Sequence, residues 1–310
     1  MKALSVTALA SSGKSVAGAN RYALALDIGG TKVAAGLVGV NGQLTTRVRA
    51  PTPRADSAEP LFQLVLSLAL RVLSEAGDGC VDVCGIGCGG PMVDAGEFVS
   101  PLNIPAWRDF PLRSRLEEHL GIPCFLDNDA KALTLGEGWV GAARESRAFM
   151  AMVVSTGIGG GIVVDGRLLD GPDGNAGHIG HVIVEPHGRE CVCGSFGCLE
   201  AEASGVAIGH ITGKPAAEAS LEVRRRTGLL VGRAVASAAN LLELELIVVS
   251  GSVALGFGDA FFRSAQEEID RHATIGRARG ARIVSGALGA SGPLVGAGAV
   301  GWRGKGVGRW

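Results

Sequence analysis

Three cysteines and a histidine crowd into "GHIGHVIVEPHGRECVCGSFGCLEAEASG" (177–205), as Cys191-x-Cys193-x4-Cys198 with His181 ten residues before the first thiol. Three thiolates and one imidazole fill a tetrahedral shell, the usual arrangement of a structural zinc ion. Gly188, Gly194 and Gly197 let a short chain wrap around such an ion. A disulfide between Cys191 and Cys193 would be strained at that spacing, and buried inert thiols do not suit a segment so polar and turn-rich. The pattern predicts Zn²⁺ held by His181, Cys191, Cys193 and Cys198, with no open position and therefore a structural role. His187 reads as a solvated loop residue.

Two glycine-rich turns offer a second chemistry. "DIGGTK" (27–32) follows an apolar strand, and Gly29 and Gly30 can take backbone angles closed to other residues. Such a turn aims successive N–H groups at one point and makes an anion nest. Thr31 adds a hydroxyl donor, and Asp27 could hold Mg²⁺ through water. "STGIGGG" (155–161) offers a second nest from Thr156, Gly157, Gly159 and Gly160. Either turn alone would be only a hairpin; two, each after an apolar strand, suggest phosphate. In "LDNDAKA" (126–132), Asp127, Asn128 and Asp129 stand where a strand opens into a helix. Asp129 has the residue type of an N-cap, and a helix N-terminus should also keep its carboxylate ionised.

These residues need strands and helices to hold them. "YALALDIGGTKVAAGLVGVNGQL" (22–44) and "AFMAMVVSTGIGGGIVVDGRLL" (148–169) both read as strand, glycine turn, strand, each opening a half that continues into helices. Buried helix is predicted over 59–77, ended by Gly77, and further helices over about 221–242 and 259–273. Strands are predicted at 81–91, at 122–128 and at 244–250, the last ending on Gly251. The glycine-spaced "GPLVGAGAVGW" (292–302) reads as a last, closely packed helix. The resulting division is a loose extension over 1–21, a small α/β domain over 22–126, and a large α/β domain over 127–289 containing the zinc loop 181–198. The helix at about 290–310 is expected to pack back on the small domain, and the halves to be hinged around a cleft.

Composition narrows the function. The 310 residues carry a formal charge of −1 with acids and bases intermixed, so nothing marks a nucleic-acid surface. The longest apolar runs fall far short of the ~20 residues of a membrane span. "MKALSVTALA" has a faint signal-peptide look but is cut off by Ser11, Ser12 and Lys14. "ALASSGKS" (8–15) mimics a P-loop, yet no strand precedes it and no helix opens at its Lys-Ser. Seven cysteines, an odd number with Cys80, Cys84, Cys88 and Cys124 in apolar segments, suit reduced thiols in a cytoplasmic protein.

"LDIGGTK", "LDNDAKA", "VSTGIGGGIV", "AGHIGH" and "CVCGSFGCLEAEASG" occur in the order and spacing of the ROK family (repressors, open reading frames and sugar kinases), which the chain resembles over about residues 22–300. The resemblance implies an α/β, actin-like (ribonuclease H-like) two-domain ATPase fold, ATP with Mg²⁺, and phosphoryl transfer to a small-molecule sugar. It places the nucleotide against Asp27, Gly29, Gly30, Thr31, Lys32, Thr156, Gly157, Gly159, Gly160 and Gly251. It makes Asp129 the general base and Asn128 a ligand of sugar hydroxyls, with further sugar contacts from Gly90, Asn103, His181 and Glu200. ROK kinases also bind zinc at the positions of the four ligands named above. Lys131 stands where the family often has Asn, a departure expected to be peripheral. Residues 206–230 form a shorter segment than in most relatives, where a helix near the nucleotide could be lost. Only about twenty residues precede the "DIGGT" strand, too few for the helix-turn-helix of the repressor members. The family often forms dimers, so a homodimer is expected.

His178 stands where many ROK glucokinases have Glu, and "AGHIGH" followed by "EPHG" is similar to bacterial N-acetylmannosamine kinases, whereas "NIPAWRDFPL" (103–112) is similar to glucokinases. The resulting expectation is a kinase acting on the 6-hydroxyl of N-acetylmannosamine, with glucose weaker. The alternatives are a strict glucokinase and a non-catalytic, sugar-sensing regulator of the same family.

Overall fold

Two five-stranded sheets built on one plan carry residues 20–308, the part of the chain described by the computed structural model. The P-loop-like stretch at 8–15 and the signal-like opening lie outside the described residues. The first sheet begins with the meander β1 (Arg21–Ile28), β2 (Lys32–Gly39) and β3 (Leu44–Pro51). After α1 (Glu59–Ser74) comes β4 (Cys80–Cys88), then the small ribbon of β5 (Met92–Val93) and β6 (Phe98–Val99), α2 (Leu112–Leu120) and β7 (Cys124–Asn128). Helix α3 (Asp129–Val140) leads into a second meander, β8 (Phe149–Val154), β9 (Ile158–Val164) and β10 (Arg167–Leu168). The zinc-loop segment follows, then α4 (Leu199–Ala203), α5 (Gly205–Thr212), α6 (Leu221–Leu242), β11 (Leu246–Ser250), α7 (Ser252–Phe257), α8 (Asp259–His272), β12 (Arg282–Ser285) and α9 (Gly292–Gly304).

The strand orders are β3-β2-β1-β4-β7 and β10-β9-β8-β11-β12, so each sheet is an antiparallel meander extended by two parallel strands. This is the pseudo-repeat of the two glycine-turn segments, doubled in three dimensions. The parallel central strands are mostly apolar because helices cover them, with charged residues such as Asp27, Asp82 and Asp127 toward their ends. The edge strand β3 instead alternates between half-buried and exposed residues, the pattern of a strand with one wet face.

Each half has its own core. In the first, Phe62, Val65, Ala69 and Val72 of α1 pack on Leu24, Leu26 and Leu37 of the sheet. In the second, α6 and α8 bury Val231, Val235, Phe261 and Ile269 against Met152, Ile247 and Val249. Helix α9 lies between them, packed on α3 and on β1 and β4. Its glycines make that possible. A Cβ at Gly298 would stand 2.6 Å from the Val38 side chain, and one at Gly301 would stand 3.0 Å from the Gly85 nitrogen. Trp302, fully buried, donates its indole N–H to the Val38 carbonyl at 3.2 Å.

Helix α1 stops at Ser74, three residues before Gly77, which lies in the following turn at φ +59°. Strand β3, α2 and the β5–β6 ribbon go beyond the elements read from the sequence, and the segment 206–230 holds α5 and the first turns of α6. Among the described residues no helix is long and apolar enough to cross a membrane.

Candidate functional site

The C-terminal ends of β1, β4 and β7 form the floor of the cleft, the edge at which open α/β sheets bind their ligands. Their register sets Asp27 opposite Gly87, and Gly87 opposite Asp127. The glycine leaves space above the middle strand, where a Cβ would meet the Asp129 Cα at 3.7 Å. Asp127 points into the protein, and Asn128 and Asp129 then turn the chain into α3. Asn128, not Asp129, is the N-cap: its side-chain oxygen accepts from the Ala130 N–H at 3.0 Å. Asp129 is the first helical residue, and its own carboxylate accepts from the same N–H at 2.8 Å.

The side chain of Asp129 is exposed at the cleft. Desolvation by the protein packed beneath it pushes its carboxyl above the ordinary value, with the Ala130 N–H pulling the other way. The N–H groups at the helix start thus favour its charge while desolvation opposes it. Asp27 is pushed up to about 6, first by burial and then by the Asp129 charge, while Lys32 opposes the shift. The charge of Asp129 thus adds to burial in disfavouring the ionised form of Asp27.

The β1–β2 turn closes with the Gly29 N–H on the Lys32 carbonyl at 3.0 Å. Thr52 clamps it from β3's side, its hydroxyl donating to the Gly29 carbonyl at 2.6 Å and its N–H to the Thr31 carbonyl at 3.0 Å. Thr31 and Lys32 are exposed at the tip. None of Gly29, Gly30, Gly157, Gly159 and Gly160 takes a positive φ, so left-handed backbone is not what requires these glycines. Close approach is. A Cβ at Gly30 would fall 2.5 Å from the Asn103 carbonyl oxygen, one at Gly157 2.7 Å from the Glu200 carboxylate, and one at Gly159 3.1 Å from the Ala130 side chain. The turns draw in the sugar-side residues that sequence reasoning assigned separately.

At the second turn, Thr156 is exposed, and the Ser155 and Thr156 carbonyls accept from the N–H groups of Gly205 (2.7 Å) and Val206 (3.2 Å) at the start of α5. The Ser155 and Ser252 hydroxyls meet at 2.9 Å, beside Gly251, which does adopt a positive φ of 103°. Glu200 accepts from the Ile158 N–H at 2.7 Å, so one of its oxygens holds the turn and the other is left for a ligand.

The ligand atoms of His181, Cys191, Cys193 and Cys198 all lie within 4.8 Å of one another. Cys193 Sγ and Cys198 Sγ are 3.7 Å apart, and Cys191 Sγ and His181 Nδ1 3.6 Å. Four donors around a tetrahedral ion at about 2.3 Å would stand about 3.8 Å apart, so the cluster could hold such an ion. All three cysteines are free thiols. Burial pushes Cys191 up and Cys198 up to about 12, while the Ser195 N–H pulls Cys193 down. The loop is braced by buried Glu202, whose carboxylate takes Arg189 at 2.6 Å and Arg226 at 2.7 Å. His178 lies one turn from His181, their rings 5.9 Å apart.

The sequence profile of the ROK family matches residues 23–301. The chain belongs to the ROK family. It is similar to a glucokinase of Halalkalibacterium halodurans, 32% identical over 90% of this chain and 94% of that protein. It is similar also to an N-acetylmannosamine kinase of Escherichia fergusonii, 35% identical over 76% of this chain and 84% of that protein. Among solved structures, a ROK hexokinase from Thermus thermophilus superposes with a TM-score of 0.78 at 32% identity, covering 93% of this chain and all (100%) of that one. A ROK family glucokinase from Streptomyces griseus, in complex with glucose and AMPPNP, superposes with a TM-score of 0.77 at 29% identity, covering 91% and 99%. The doubled sheet plan is accordingly the actin-like ATPase fold of ROK kinases.

One departure from the ROK pattern is far from peripheral. Lys131 is 1% exposed, and its ammonium reaches Asp127 Oδ1, Asp170 Oδ1 and the Gly174 carbonyl, each at 2.9 Å. Arg303 of α9 completes the group, pairing with Asp170 at 2.5 Å and lying 3.7 Å from Asp127. Sequence reasoning does not find Asp170, Asn175 or Arg303. The one available signal is a lysine four residues after Asp127 inside an otherwise apolar helix start, a place where an unpaired charge would be prohibitive.

Proposed function

We propose that this ROK protein is an ATP-dependent hexose kinase that carries the γ-phosphoryl group to the 6-hydroxyl of a hexose, with N-acetylmannosamine preferred over glucose. The observation that carries the reading is Asp129, a carboxylate exposed at the cleft yet raised by desolvation, at the strand-to-helix switch beside both glycine turns. A sugar hydroxyl is a poor nucleophile, and a kinase chiefly orients it and accepts its proton late. A carboxyl raised above its ordinary value is a stronger base for that proton. Asn128 spends its oxygen on the helix cap, which leaves its amide N–H groups for sugar hydroxyls. Gly90 faces that amide, a Cβ there lying 3.7 Å from Asn128 Nδ2.

ATP fits between the exposed Thr31 and Lys32 of one turn and Thr156 of the other, with Gly251 at the far wall. Mg²⁺ fits at Asp27, held through water, because a divalent cation offsets the burial and the neighbouring Asp129 charge that raise this carboxyl, and Asp129 is left free to act as the base. When bound, it would neutralise charge on the phosphates. Zn²⁺ in the His181–Cys191–Cys193–Cys198 cluster would act as a staple that fixes His181 and Glu200 beside the sugar.

The substrate preference rests on His178. Burial and the neighbouring His181 push its imidazole below the usual value, so it is uncharged at neutral pH. A neutral ring can donate to an acyl-amino carbonyl as well as accept from a hydroxyl, which a glutamate cannot.

Asp129→Asn keeps the shape and removes the base. Turnover is expected to fall ~10²–10⁴-fold with sugar binding by calorimetry retained; more than a tenth of wild-type kcat would contradict the assignment. Protein purified without chelators is expected to carry about one zinc per chain by elemental analysis. Cys193→Ser should lose the metal, lower Tm and weaken sugar binding, and metal-free wild type of full stability would remove the staple. In a coupled assay over hexoses and amino sugars, N-acetylmannosamine should be the better substrate. His178→Glu should shift relative kcat/KM toward glucose by about 1–3 kcal/mol. Strong glucose turnover with none on N-acetylmannosamine would make the protein a glucokinase instead.

A further inference from the structure

Between β10 and His178 the chain makes a small loop, closed on itself by the Ala176 N–H on the Asp170 carbonyl at 3.0 Å and the Gly174 N–H on the Gly171 carbonyl at 3.3 Å. Nothing in its own composition fixes where it sits. Three outside tethers do. Lys131 grips its start and its tip through Asp170 and Gly174, each at 2.9 Å. Arg303 of α9 grips the other oxygen of Asp170. Asn175 crosses to the first half of the molecule: its amide donates to the Met92 carbonyl at 2.9 Å and accepts from the Met92 N–H at 3.2 Å. Met92 opens β5, two residues after Gly90, and a Cβ on Gly90 would be 3.7 Å from both Asn175 Oδ1 and Asn128 Nδ2. The two asparagines and Gly90 therefore converge on one patch of the cleft, from three different segments.

The charges are balanced within this group. Lys131 and Arg303 face Asp127 and Asp170, a neutral quartet. An ammonium has three protons, and Lys131 places three oxygens around it at equal distance. Neither the asparagine common in the family nor a guanidinium could reproduce that set from this position. The first of those oxygens belongs to Asp127, two residues before the proposed base. The other two belong to the loop that delivers His178.

We propose that Lys131 and Asn175 are positioning residues for the sugar: together they lock the 170–178 loop to the floor strand β7 and to the Gly90–Met92 segment across the cleft, and so set where His178 stands. The inference rests on the sugar-kinase reading for the identity of the ligand and on the structure alone for the tether. It differs from a purely structural ion pair in one respect. A structural pair affects stability and, through the folded fraction, apparent kcat with both KM values unchanged, whereas a positioning tether raises KM for the sugar and leaves KM for the nucleotide in place.

Removing Lys131 itself strands the buried carboxylate of Asp127, and Lys131→Met can fail to fold for that reason. The test therefore uses Asp170→Asn, which loosens only the loop side, and Asn175→Ala, which cuts the link to Met92. Two measurements are made on the full chain. Hydrogen exchange without any sugar is expected to speed up over 171–178 in both variants. In the coupled assay, KM for the sugar is expected to rise about 5–20-fold, the range of one or two lost hydrogen bonds, with KM for ATP within twofold and kcat within threefold of wild type. Unchanged exchange over 171–178 would overturn the tether, and unchanged sugar KM, or equal changes in sugar and ATP KM, would overturn the positioning role. A wild-type protein inert on every sugar would sink the kinase reading and the sugar side of this inference with it. An active wild type with unmoved sugar KM in both variants would sink the inference alone.

Discussion

Asp27 is half-buried at the end of β1 and raised first by that burial and then by the charge of Asp129 nearby, and the rest of the site is arranged around this carboxyl. Parallel strands set the spacing: β1 and β7 flank β4, and Gly87 between them carries no side chain below the start of α3, where Asp129 stands. The exposed Lys32 provides partial relief. A cation with its phosphates would provide the rest, which ties readiness for the nucleotide to the state of the proposed base. Asp127, at the end of β7 beside this pair, is handled differently. It is buried and pushed up by burial, and Lys131 pulls it back, so its charge is spent on architecture.

From that floor the construction runs outward in two directions. On the side proposed for the nucleotide, the turns after β1 and β8 come from equivalent places in the two sheets, and the starts of α5 and α7 converge on the second. On the side proposed for the sugar, Asn103, Glu200 and His178 arrive from segments far apart in sequence, the first two against Gly30 and Gly157 and the last on the loop held by the neutral quartet around Lys131. Helix α9 joins both sides. Its glycines press it between α3 and the first sheet, and Arg303 near its end takes part in the quartet, so the helix that spans the halves also holds the sugar-side loop.

What is legible in the sequence is local. The doubled strand–turn–strand unit, the cysteine spacing and the strand-to-helix switch at Asp127–Asp129 each lie within a few residues, and each is found where expected. The glycines of the two turns stand out for the wrong reason, since the need at Gly30 is set by Asn103, far along the chain, and not by φ. The cap on α3 falls one residue earlier than expected because Asn128 and Asp129 are both good cap types, and only the geometry chooses. Lys131 reads as peripheral because its loop partners, Asp170 and Gly174, are distant in sequence, and Arg303 and Asn175 carry no motif at all. Strand β3 escapes notice although its alternation is regular, because an edge strand with Thr45, Arg47 and Arg49 outward has too little apolar content to stand out.

The central claim, that the floor carboxylates are held charged only at a cost, has a direct measurement. Unfolding free energy is followed by urea from pH 4 to pH 8 for wild type and Asp27→Asn, with chelator and without nucleotide. Asp27 keeps its proton to about pH 6 when folded and loses it near 3.8 when unfolded, so between those values the native state binds more protons and stability falls as pH rises. Wild type is expected to lose about 2–3 kcal/mol relative to Asp27→Asn between pH 4 and 6.5, at roughly 1.4 kcal/mol for each pH unit separating the folded and unfolded values, and to run parallel to it above. Parallel curves over the whole range, or a wild type that gains on the variant as pH rises, would contradict the account.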